Sequence, residues 1–102
     1  MSAAAVLTEA LAIIGTPKTW GQCACAADAK GHEVKLNSEK ASRFCMVGAL
    51  QRVPCSATDY GIAIRHLRNA CRGQSIFEFN DSHSHRSVTK AMRRAIAAAE
   101  AA

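Results

Sequence analysis

The chain has 102 residues, of which 49% are hydrophobic but only 5% aromatic, and it carries a formal net charge of +5. That length holds one core and excludes a catalytic domain joined to a regulatory one. Five cysteines (Cys23, Cys25, Cys45, Cys55 and Cys71) are an odd number, which argues against a closed disulfide framework and for buried small side chains or ligands.

The opening Met1-Ser2-Ala3-Ala4-Ala5-Val6-Leu7-Thr8-Glu9 has no basic leader and places an acid inside its apolar run, so neither a secretion signal nor a membrane span is expected. The expected location is the cytoplasm. The positive charge is uneven: six cations stand against one acid, Asp59, between Lys40 and Arg72, and four cations against none from Arg86 to Arg94. Such a field favours phosphate-bearing or acidic partners over cationic ones.

In chain order, Ser2 reads as the cap of a first helix with Leu7, Leu11 and Ile14 on its inner face, and Gly15 as its left-handed terminator. Thr16-Pro17 opens a further turn or two through Trp20. From Cys23 to Leu36 the period shortens, and Asp28-Ala29-Lys30-Gly31 has the composition of a tight turn, so a two-stranded hairpin is expected there. Asn37 or Ser38 should cap a central helix that runs to Val53-Pro54, with Phe44, Cys45 and Gly48 on its apolar face. Glycine inside a helix costs about 1 kcal/mol relative to alanine, and another backbone packed closely against Gly48-Ala49 would offset that.

Ser56-Ala57-Thr58-Asp59 fits the capping-box pattern and opens a helix ending at Gly73, with Arg65, Arg68 and Arg72 along its outer side. Ile76-Phe77-Glu78-Phe79 reads as a loop anchor that buries both rings, and the polar run Asn80-Asp81-Ser82-His83-Ser84-His85 as a loop. A last helix from about Val88 turns Arg86, Lys90, Arg93 and Arg94 largely outward. The fold class is therefore mainly α (α+β): one domain over residues 1–102, with about four helices and one short β-hairpin before the central helix.

Three constellations could carry chemistry. Cys45 with His83 or His85, oriented by Asn80 or Asp81, supplies the parts of a thiol hydrolase, although a thiol two turns into its helix gains little from the dipole. Asp81, His83 and His85 alternate and could share a metal with Cys23 and Cys25, but the spacing matches no specific zinc pattern, and neither metal nor other cofactor is assigned. The favoured set is an anion site in which Arg65, Arg68, Arg72, Arg86 and Arg93 (or Arg94 in place of Arg86 or Arg93) converge beside Asn80 and Asp81, near the start of the last helix.

Trp20, Ala41-x-x-Phe44-Cys45-x-x-Gly48-Ala49-Leu50 and Phe79-Asn80-Asp81 together resemble a family of small uncharacterised proteins of bacteria and their phages. The resemblance implies no activity; it brings anti-defence roles into view by analogy, through a host protein or a nucleotide signal. The reading that results is a non-enzymatic binding protein. Its partner is an anionic small molecule or nucleotide, or an acidic protein surface; nucleic acid is not favoured and a membrane is not expected. A Cys45 hydrolase and a homo-oligomeric structural or adaptor protein are the alternatives.

Overall fold

The computed structural model describes residues 1–102 and contains five helices: α1 (Ala3–Ile13), α2 (Met46–Arg52), α3 (Ala57–Ala70), α4 (Ile76–Ser82) and α5 (His85–Ala101). Helices α1, α3 and α5 pack on one another, and α2 lies between α1 and α4. Val6, Leu7 and Ala10 of α1 and Ile14 at its cap meet Ala63 and Leu67 of α3 and Val88, Met92 and Ala95 of α5 in one fully buried cluster. The radius of gyration is 12.5 Å, close to the roughly 13 Å of a compact domain of this length. The mainly α class with a short antiparallel pairing before the central helix is what the structure contains, and no helix is long and apolar enough to cross a membrane.

Each helix starts on a side chain that satisfies an orphan N–H. Ser2 Oγ accepts from Ala5, Ser56 Oγ from Asp59, Ser75 Oγ from Glu78 and Ser84 Oγ from Ser87. Ser75-Ile76-Phe77-Glu78 is itself a capping-box sequence, so the segment expected to be a loop anchor is the start of α4 and carries Asn80 and Asp81 within it. Only one of its two rings is inward: Phe79 is buried and Phe77 is 52% exposed. α3 ends at Ala70 with Cys71 as its cap, and the left-handed residue after the cap is Arg72 (φ 53°), one residue before the left-handed Gly73 expected to end it; Gly15 adopts no left-handed conformation, and α1 instead closes with the Ile14 N–H on Ala10 and Ala12.

The largest departure from the sequence expectation lies between residues 37 and 45. The central helix begins at Met46, and Cys45 is its N-cap rather than an interior residue: its Sγ accepts from the Gly48 N–H at 3.3 Å. The preceding residues are extended because Phe44 is claimed by two neighbours. Strand β2 (Arg43–Phe44) pairs antiparallel with β1 (Ala26–Ala27), and on its other side the Phe44 N–H donates to Thr19 while its carbonyl accepts from Gly21. The Asp28–Gly31 turn is present as expected: the Val34 N–H reaches the Ala26 carbonyl, and Gly31 is left-handed at φ +87°. Asp28 Oδ1 accepts from the His32 and Lys30 N–H groups, and the bond from His32 above all holds its carboxyl below the usual value.

Gly48 is where the extended segment meets α2. A Cβ at that position would lie 1.9 Å from the Cys25 carbonyl oxygen and 2.8 Å from its carbon, both backbone atoms. The close approach anticipated for Gly48 is therefore made by Cys25, whose carbonyl also accepts from the Cys45 N–H at 3.3 Å. Gly61, inside α3, meets nothing within 4 Å.

Gly48→Ala should destabilise the fold by about 3 kcal/mol, because backbone must move to admit the methyl group. Gly61→Ala should stabilise it by about 0.5–1 kcal/mol through helix propensity alone. Urea unfolding of the two variants against the parent reads both signs in one experiment.

Candidate functional site

Asn80 and Asp81 are placed by α4, and they serve the fold. Asn80 is 1% exposed and uses its whole side-chain capacity: Oδ1 accepts from the Trp20 indole at 2.9 Å and from the Met46 N–H at 3.0 Å, while Nδ2 donates to the Gly21 carbonyl at 3.0 Å and to Asp81 Oδ1 at 3.1 Å. The same Asp81 oxygen accepts from the Cys23 N–H at 2.8 Å, holding Cys23 in a left-handed conformation at φ +68°. Gln22 adds bonds from its amide to the carbonyls of Asn80 and His83. Asn80 thus has no free group for a ligand, which corrects its expected place in an anion site.

The histidines are separated. His83 Nδ1 lies 2.9 Å from the Phe79 carbonyl, which can only accept, so Nδ1 carries the proton and Nε2 is the free ring nitrogen. Its ring stacks on Phe79 at 3.9 Å. His85 turns the other way, its Nε2 donating to the Ile14 carbonyl at 2.7 Å and its ring tilted against Trp20. Neither reaches Cys45, whose thiol contacts the Gly48 N–H and Cys25, so the thiol-hydrolase arrangement of Cys45 with His83 or His85 is not assembled. Asp81, His83 and His85 likewise point to three different partners, and no three His, Cys, Asp or Glu side chains stand together as metal ligands.

Some of the basic residues share a cleft, though not the set expected. A cleft of about 340 Å³ opens between the end of α3, α4 and α5, with Arg72, Lys90 and Arg94 supplying charge and Gln74, His83 and Ser87 supplying polar groups. Ser87, Lys90 and Arg94 fall at i, i+3 and i+7 and so share one face of α5. Arg72 reaches the cleft because the chain turns through left-handed Arg72 (φ 53°) and Gly73 at the end of α3. One Arg94 nitrogen donates to the Ala70 carbonyl at 2.7 Å, satisfying the end of α3, and its buried Nε has no partner.

No carboxylate lines this cleft, and the two ion pairs of the molecule, Met1 with Asp59 and His32 with Asp28, lie elsewhere. Of the arginines expected to converge, Arg72 and the alternative Arg94 are in the cleft and Arg68 lines an adjoining hollow that shares Gln74. Arg65, Arg86 and Arg93 are exposed and line neither. Lys90 and Arg94 were legible as helix positions, but they face the cleft only because α3 packs directly on α5.

Two thiols are buried. Burial pushes Cys45 up to about 11 against the opposing Gly48 N–H, and pushes Cys71, at the wall of the basic cleft, to about 11 despite the nearby Arg94.

The chain belongs to DUF6197, a family of unknown function whose model matches residues 1–98. Comparison with curated proteins and with solved structures gives no significant match.

Asn80→Ala should cost about 3 kcal/mol or more, since it strands the Met46 N–H, the Trp20 indole and the Gly21 carbonyl together. Trp20 is the single tryptophan, so its emission should move to the red in the same variant. The raised thiols set an alkaline limit. Both ionise near 9.0 when unfolded and about 11 when folded, so their contribution is whole below pH 9 and is lost as pH rises toward 11. Urea midpoints should fall across that interval, and less steeply in Cys71→Ala.

Proposed function

We propose that this DUF6197 member binds a small phosphate-bearing anion in the cleft between α3, α4 and α5. One observation carries the reading: Arg72, Lys90 and Arg94 share a cleft of about 340 Å³ with no carboxylate in its walls and no ion pair to any of the three. Like charges gathered without a counter-charge repel one another, and a bound anion turns that cost into attraction. The forked arginines match phosphate oxygens in pairs, Lys90 adds a point charge, and Gln74, Ser87 and the free His83 nitrogen supply neutral hydrogen bonds. The volume suits a phosphorylated metabolite or a mononucleotide rather than a duplex. Sequestering a nucleotide signal is the form of this reading that the resemblance to phage proteins adds.

Isothermal titration with inorganic pyrophosphate and with a nucleoside monophosphate at low salt tests this. Saturable one-to-one binding is expected, weakened at least about tenfold by Lys90→Glu or Arg72→Glu and less than about twofold by Arg65→Glu or Arg86→Glu. Equal losses across all four variants would point to diffuse attraction by the net charge, and absence of binding in the parent protein would remove the proposal.

A further inference from the structure

A second site lies on the other side of α4. Pairing of Ala26 with Phe44 and Ala27 with Arg43 places Cys25 directly opposite Cys45 at the next step of the antiparallel register. The Cys45 N–H donates to the Cys25 carbonyl at 3.3 Å, which ties the two residues together across the ladder. Residues directly opposite in an antiparallel pair have Cα atoms about 4.5–5.5 Å apart, inside the range of about 4.4–6.8 Å that a disulfide spans. Gly48 holds the pair together, because its missing side chain is what lets the Cys25 carbonyl lie on α2.

The pair is reachable. Cys25 is half-buried and, with the 2% exposed Cys45, it lines a cavity of about 250 Å³ that Phe77 flanks. Two carboxylates, Glu33 and Asp81, line the same cavity, and no cation does. We propose that Cys25 and Cys45 form a thiol–disulfide exchange site for small cationic disulfides. The more exposed Cys25, as thiolate, attacks one sulfur of the incoming disulfide, breaks its S–S bond and releases one small thiolate that takes up a proton. Cys45 then gives its proton to solvent and attacks the Cys25 sulfur, forming the protein disulfide and expelling the second small thiol. Two protein thiols are oxidised and one disulfide is reduced to two thiols. The carboxylates select a positively charged disulfide over an anionic one.

The test uses the reduced full-length protein treated with cystamine or with oxidised glutathione at equal concentration, followed by alkylation, intact mass and peptide mapping. With cystamine, a loss of two hydrogens, three alkylated thiols out of five and a peptide linking Cys25 to Cys45 are expected, forming faster than with glutathione. Cys45→Ser keeps a good helix cap and should trap one cysteamine on Cys25. Cys25→Ser should abolish the cross-link. A cross-link through Cys23 or Cys55, no cross-link at all, or a reaction with glutathione as fast as with cystamine would each overturn the assignment. Pyrophosphate binding in the basic cleft is read separately and does not depend on this outcome.

Discussion

The structure depends on the side chain of Asn80. A primary amide has two acceptor sites and two donors, and here all four are spent: on the indole of Trp20 and the carbonyl of its neighbour Gly21, on the first N–H of α2, and on the carboxylate of Asp81. The segment from Trp20 to Cys25 has no helix of its own, so its position is set by these bonds together with the Phe44 pairing. Any apolar replacement of Asn80 would leave several buried polar groups without partners at once, each worth about 1–3 kcal/mol.

That joint decides where chemistry can occur. Helix α4 is only seven residues long, yet it presents Phe79 and Asn80 inward, Asp81 to the thiol cavity and, just past its end, His83 to the basic cleft. An acid-lined cavity and a carboxylate-free cationic cleft therefore lie on opposite sides of two turns of helix. The net charge of +5 describes neither. Inside either cavity the charge of the local walls, all within a Debye length, outweighs the total charge.

Much of the fold was legible because the signals were local. Ser2 and Ser56 capped their helices as read, the Asp28–Gly31 turn formed, and Gly48 met a neighbouring backbone. The misreadings share a cause. Residues 41–45 have a helical apolar period, but Phe44 is paired on both edges, and a hydrogen-bonding requirement imposed from residues 19–27 outweighs a pattern over a few positions. The polarity of the Asn80–Asp81 run suggests a ligand loop in the sequence, but it serves to satisfy groups about sixty residues away in the chain. For the basic site, sequence supplied the charges but not the partition between cleft and surface, which follows from how α3 and α5 pack: Lys90 and Arg94 are in, Arg65, Arg86 and Arg93 are out.

The need for such a polar joint follows from the composition of the core. Ala10, Ala49, Ala63, Ala91 and Ala95 are each fully buried, interleaved with larger side chains such as Leu7, Leu50, Leu67 and Met92. Small residues let helices approach closely, but at about 0.8 kcal/mol per buried methylene each contributes little to stability and less to uniqueness, since alanine surfaces can slide past one another. Directional bonds cannot slide. Asn80 to Trp20 and Met46, His85 to Ile14, and Arg94 to Ala70 each tie one helix to another element at a single register. The helices α4 and α5, which carry these three anchors, are thereby fixed relative to α1, α2 and α3, and the walls of both cavities are fixed with them.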